Sequence, residues 1–128
     1  MILGIDLGKK TTGIAISEGQ LATPYKTITH ISTKDAVFKI AELCDELEVE
    51  KLVVGFVEGK IKSYFENFAK EFRKKRPAIE VIMVDETLTT RQATETMIKL
   101  QLSKKTRQKK EHEMAASQIL QSYLNQGD

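Results

Sequence analysis

The chain has 128 residues, 41% of them hydrophobic and 30% charged, with a formal net charge of +2. That length and apolar content suit one compact domain spanning 1–128, and exclude a transmembrane helix, since no apolar run approaches membrane-spanning length. The short apolar start is broken by an acid and preceded by no basic region, unlike a signal peptide, and the single cysteine, Cys44, fits a reducing, cytoplasmic setting.

Met1–Ile5 reads as a strand and Gly13–Ile16 as a second, joined through a Gly/Lys/Thr turn as a hairpin. Asp6 stands where the first strand leaves the core. An unpaired charge in an interior is costly, so this carboxylate is paired, solvated or bound to a metal; it could also cap the Gly8–Thr12 turn. A Gly-containing turn leads to a third strand, Leu21–Thr29, in which Pro24 marks an edge. Ser32–Thr33 offers an N-cap for a helix over Lys34–Leu47, with Val37, Ile40, Ala41, Cys44 and Leu47 on one face. Lys51–Phe56 is a short apolar run, read as a buried fourth strand ending at Gly55. Ile61, Phe65, Phe68 and Phe72 repeat at helical spacing up to Lys75, and Pro77 stops that helix. Ile79–Val84 is a fifth strand that runs into Asp85 and Glu86. Thr89 and Gln92 have capping-box spacing and open a helix with Ala93, Met97 and Leu100 on its face. Ser103–Lys110 reads as a basic loop, and a last helix covers Glu111–Leu124 with Ala115, Ala116, Ile119, Leu120, Tyr123 and Leu124 as its buried stripe.

Three antiparallel strands followed by strands alternating with helices imply an α/β fold with a mixed sheet and right-handed parallel crossovers. Ligands in such sheets bind beyond the carboxyl ends of the strands. Asp6, the Asp85–Glu86 pair and His112 can therefore converge on one rim, with His112 in register with the buried stripe of the last helix. Clustered carboxylates repel one another unless they bind divalent cations, and oxygen ligands favour Mg²⁺ or Mn²⁺. Two such ions can activate a water and stabilise the leaving oxygen in phosphodiester cleavage. The bland alternatives are that Asp85 and Glu86 are helix-start acids favoured by the dipole and that His112 is a satisfied helix-start residue. The charge distribution adds to the case. Lys104–Lys110 holds five basic residues and no acid, and Lys70–Arg76 holds five basic residues and one acid. Lys104, Lys105, Arg107, Lys109 and Lys110 would grip phosphates, with Lys9 and Lys10 beside Asp6. The Lys70–Arg76 run reads equally well as a solvated helix end.

The sequence resembles the YqgF/RuvX family of pre-16S rRNA nucleases and Holliday-junction-resolvase-like proteins, within the RNase H-like superfamily. Four blocks carry the resemblance: Gly4-Ile5-Asp6-Leu7-Gly8 with Gly13-Ile14-Ala15-Ile16-Ser17; Val53-Val54-Gly55; Asp85-Glu86-Thr87-Leu88-Thr89-Thr90 with Ala93; and Ala115-Ala116 with Ile119-Leu120-Gln121-Ser122-Tyr123-Leu124. The resemblance implies a five-stranded mixed sheet of order 3-2-1-4-5, its first three strands antiparallel, flanked by helices. It also implies catalytic, metal-binding roles for Asp6 and Glu86. Where the family carries a carboxylate before the Ala-Ala pair this chain has His112, so the third ligand is either His112 or Glu113. The family's Gly-rich loop after the fourth strand is reduced here to Glu58-Gly59-Lys60. The implied activity is a Mg²⁺- or Mn²⁺-dependent nuclease of the two-metal type on structured nucleic acid, foremost the 5′ end of pre-16S rRNA, with Holliday junctions as the alternative substrate. A non-catalytic RNA- or ribosome-associated module and an actin-like ATPase half are the competing readings. A monomer and a homodimer fit equally well.

Overall fold

The computed structural model describes residues 1–56, 62–85 and 104–126, with side chains in the last segment described from Lys110 onward. Five strands, β1 (Ile2–Leu7), β2 (Thr11–Ser17), β3 (Thr23–Thr29), β4 (Lys51–Phe56) and β5 (Glu80–Asp85), form one sheet in the order β3-β2-β1-β4-β5. β1 pairs antiparallel with β2 and parallel with β4, and β4 pairs parallel with β5. The mixed topology is therefore the one that the strand and helix order implies. A register shift between Ile14 and Ala15 places Pro24 opposite Ala15 on β3, the edge strand, where its missing N–H is tolerated.

Helices cover both faces, which is why β1 and β4 read as nearly continuous apolar runs. On one face lie α1 (Thr33–Glu46) and α2 (Lys62–Lys75). There Leu3, Ile5, Leu7, Ile14, Leu52 and Val54 pack with Val37, Ile40 and Cys44 of α1 and with Phe65, Phe68 and Phe72 of α2. Burial pushes the Cys44 thiol up to about 12, so it behaves as an apolar core residue. Ser32 caps α1 by accepting from the Asp35 N–H at 3.0 Å. On the other face α3 (Lys104–Asn125) lays Ala116, Ile119 and Leu120 against Ala15 and Val53.

Two sequence expectations are corrected. Lys104–Lys110 is not a loop but the first two turns of α3, which therefore begins before Glu111. Lysine, arginine and glutamine are good helix formers and no Gly or Pro interrupts 104–126, so the helix extends through the basic run. His112 consequently lies inside a helix rather than at its start. The strand pairing of β1 also runs past Ile5 through Asp6 to Leu7, so Asp6 belongs to the sheet. Glu86, the Glu58-Gly59-Lys60 segment, Ile61 and the helix expected from Thr89 lie outside the described residues. No helix among the described residues is long and apolar enough to cross a membrane.

Candidate active site

The side chains of β1 alternate between the two faces, so Leu3, Ile5 and Leu7 enter the α1/α2 core while Gly4 and Asp6 face α3. In the row across the sheet, Asp6 pairs with Gly13 on β2 and Gly55 on β4. These glycines leave space on both sides of the carboxylate. Helix α3 uses it on the β2 side: a Cβ at Gly13 would lie 1.9 Å from the backbone oxygen of His112.

This close approach sets the His112 ring over the strand ends. Its Nδ1 lies 3.1 Å from Asp6 Oδ2, and its Nε2 lies 3.2 Å from Thr11 Oγ1. A carboxylate only accepts, so Nδ1–H donates to Asp6; Nε2 then accepts from the Thr11 hydroxyl in the neutral ring and donates to it in the charged one. Asp6 is buried, at 7% exposure. Its hydrogen bond raises the His112 pKa above the ordinary imidazole value, against the opposing effect of burial.

On the other side of β2, Thr12 Oγ1 lies 2.8 Å from Nε2 of the buried His30, whose Nδ1 has no hydrogen-bond partner among the described residues. Burial lowers the His30 pKa, so this histidine is held neutral. The turn between β1 and β2 closes with Gly8 N–H donating to Thr11 O at 3.0 Å, and Tyr64 of α2 donates its hydroxyl to Gly8 O at 2.7 Å. The strand end that carries Asp6 is thus fixed from β2, from α2 and from α3.

The remaining expected site residues fall as follows. Glu113 accepts at 3.3 Å from the Thr27 hydroxyl of β3, so of the two alternatives His112 is the one beside Asp6. Lys9 and Lys10 are exposed in the turn next to Asp6, and Lys110 is exposed on α3. Lys104, Lys105, Arg107 and Lys109 belong to the opening turns of α3, but their side chains are outside those described. Asp85 ends β5 opposite Phe56, whose ring packs against the α1/α2 core, so it is on the face away from Asp6. Thr11, His30 and Tyr64 were not singled out by the sequence. For Thr11 a signal existed, since it alternates with Gly13 and so shares the α3 face; nothing local marks His30 or Tyr64.

A family model described as RuvX, Holliday junction resolvase, matches residues 1–126. This chain belongs to the RuvX family. Among relatives of this RuvX-family chain is a Clostridium tetani protein named "Putative pre-16S rRNA nuclease", 36% identical over 97% of the chain and 95% of the relative. A Clostridium acetobutylicum protein of the same name is 35% identical and covers 97% of each. Similar solved structures include a Fowlpox virus resolvase with Holliday junction DNA (TM-score 0.67, 15% identity, 98% of this chain and 97% of that one). T. thermophilus RuvC with a Holliday junction substrate is also similar (TM-score 0.59, 16% identity, 98% and 95%). At such identities the structural likeness speaks for the fold, and the fold is RNase H-like.

Proposed function

We propose that this RuvX-family chain is a nuclease that hydrolyses phosphodiester bonds in structured nucleic acid, acting as one domain, with the 5′ end of pre-16S rRNA as its foremost substrate. The observation that carries the reading is the buried Asp6 carboxylate. It is set at the carboxyl end of a central strand between two glycines and met by His112 from the covering helix. The names borne by the Clostridium relatives favour pre-16S rRNA. The resolvase folds favour a branched DNA junction as the second candidate.

A divalent cation fits this site in part. Among the described residues no group of three or more His, Cys, Asp or Glu side chains could hold a metal ion. Asp6 supplies a carboxylate oxygen of the kind Mg²⁺ or Mn²⁺ takes, and His112 beside it would add a ring nitrogen on giving up the Nδ1 proton it donates to Asp6. In our reading Glu86, which follows Asp85 in sequence, completes the set, and the bound ions would activate the attacking water and stabilise the leaving oxygen. The protein's own contribution is positional. Asp6 is held by the sheet, and His112 is oriented through both ring nitrogens by Asp6 and Thr11. Lys9, Lys10 and the basic opening of α3 offer cations to the phosphates on either side of the scissile bond.

The test is a cleavage panel of precursor rRNA ends and four-way DNA junctions in Mg²⁺ and Mn²⁺, with parent, Asp6→Asn and Glu86→Gln. Asp6→Asn is expected to remove cleavage by at least about 10²-fold while the circular dichroism spectrum stays unchanged. Equal cutting by Asp6→Asn and the parent would refute the site. Salt-sensitive RNA binding with no cleavage in either metal would favour a non-catalytic binding module instead.

A further inference from the structure

The basic run Lys70–Arg76, which the active site does not use, lies on the sheet face opposite α3. Part of it is structural. Arg76 is tied to the Asp45 carboxylate through Nε and Nη2, and Arg73 reaches Val81 O at 3.5 Å. Cations at the end of a helix also suit its dipole, which explains Lys74 and Lys75 in the last turn of α2.

The dipole does not explain what faces them. A groove between α1 and α2 is lined by Thr33, Lys34 and Val37 from α1 and by Asn67, Glu71, Lys74 and Lys75 from α2. Lys34 stands in the first turn of α1, the positive end of that helix, where a cation is disfavoured. It looks across the groove at two further lysines, and it makes no ion pair among the described residues. The groove's one acid, Glu71, is shared with Lys74 at 3.6 Å in an exposed pair. A chain of net charge +2 thus places three lysines against one glutamate in a single concave surface. Beside it the Phe38 ring is 47% exposed, with Lys75 Nζ 5.5 Å from its centroid.

The groove also adjoins the catalytic rim. Thr33, which lines the groove, lies near Tyr64, and Tyr64 donates to Gly8 O in the turn that carries Lys9 and Lys10. Just beyond β3, His30 N–H donates to Lys10 O at 2.9 Å, so the approach to α1 is fastened to the same turn.

We propose that the α1/α2 groove is a second phosphate track, which takes the backbone of the substrate RNA as it leaves the catalytic rim past Lys9 and Lys10. Lys34, Lys74 and Lys75 face its phosphates, and Phe38 offers an aromatic surface to an unpaired base. The inference rests on the nuclease reading for the identity of its guest. Its own content is the route, on the face opposite α3.

The test measures binding, without cleavage, in EDTA. A fluorescein-labelled RNA hairpin with a single-stranded flank is titrated by anisotropy at several salt concentrations against three proteins matched in thermal melting. These are the parent, the groove variant Lys34→Gln/Lys74→Gln, and a control, Lys26→Gln/Lys51→Gln, that removes the same charge elsewhere. The groove variant is expected to bind about tenfold more weakly at low salt, with its log–log salt slope reduced by about 1.5, as the loss of two phosphate contacts requires. The control is expected to keep the parent's slope. If the groove variant keeps it too, or both variants lose equally, the track is refuted while the active-site reading stands. A parent that binds no RNA at any salt overturns both.

Discussion

Asp6 shares its row of the sheet with glycine on both sides, and the helix that covers the row comes closest at Gly13. Local chemistry at the site therefore depends on an atom that is missing. A methyl group at Gly13 would fall 1.9 Å from His112 O, which is backbone and cannot swing aside, so α3 would have to withdraw. Gly13→Ala is expected to cost about 1–3 kcal/mol, the usual range for overpacking a tight contact, and to part His112 from Asp6 and Thr11. Urea denaturation gives the first quantity. The imidazole ¹⁵N shifts of His112, which report the hydrogen bonds at each ring nitrogen, give the second. Unchanged stability and unchanged shifts would mean that the helix does not need this glycine. This dependence also marks what was legible beforehand. Asp6 and His112 can be placed on a common rim from strand order and helical register. The Thr11–His112 contact joins residues 101 positions apart and exists only because Gly13 lets the helix down onto β2.

Helix α1 shows how an element end can be read in backbone terms and still improved. Leu47 is its C-cap; Val49 N–H donates to Cys44 O at 2.9 Å and Glu48 N–H to Asp45 O at 3.4 Å, the paired bonds of a Schellman motif. That motif needs a left-handed residue, and here it is Glu48, with φ of 55°. Glycine pays no Cβ penalty in that region, so Glu48→Gly is expected to stabilise the chain by about 1 kcal/mol, read as a higher urea midpoint with an unchanged slope. A lower midpoint would show that the Glu48 side chain contributes more than its backbone costs. Elements whose signal is periodic were legible. The apolar run places β4 to within one residue of its end, at Phe56 rather than Gly55, and the Phe65, Phe68 and Phe72 spacing with Pro77 places α2 and its end at Lys75. The start of α3 lies earlier than its charge density suggests, because the lysines and glutamine of the basic run have good helix propensity and no breaker stands among them. β1 likewise extends beyond its apolar run, through Asp6 to Leu7. An acid reads as a strand end, yet Asp6 keeps its place in the ladder because its side chain meets a histidine rather than an apolar layer.

Across the whole molecule, the chain's two histidines flank β2 from opposite faces, each bonded to one of two adjacent threonines, and their titrations act on stability in opposite directions. His112 is packed between Asp6 and Thr11, with Glu111 also favouring its charged form, and its pKa is raised. A raised folded pKa means that the protonated ring is bound more tightly in the native state. Its stabilisation is therefore complete below the unfolded value of about 6.5 and fades as pH rises through the folded pKa. His30 is the reverse. Burial lowers its pKa, while Asp35 pulls upward and Lys39 downward. The native state resists its protonation, so stability is full above about 6.5 and falls as pH drops toward the lower folded pKa. Together they place a maximum near the ordinary imidazole pKa in the metal-free protein, within a window where Asp35 and Asp45, both with lowered pKa, stay ionised. Urea midpoints measured from pH 5 to 9 in EDTA should decline on both sides of that maximum. His112→Asn should flatten the alkaline limb and spare the acid one, and His30→Gln should flatten the acid limb and spare the alkaline one. If either variant instead lowers the whole curve without changing its shape, that histidine contributes packing rather than a proton. For His112, the Asp6 bond would then not be the charge-assisted contact that holds the site together.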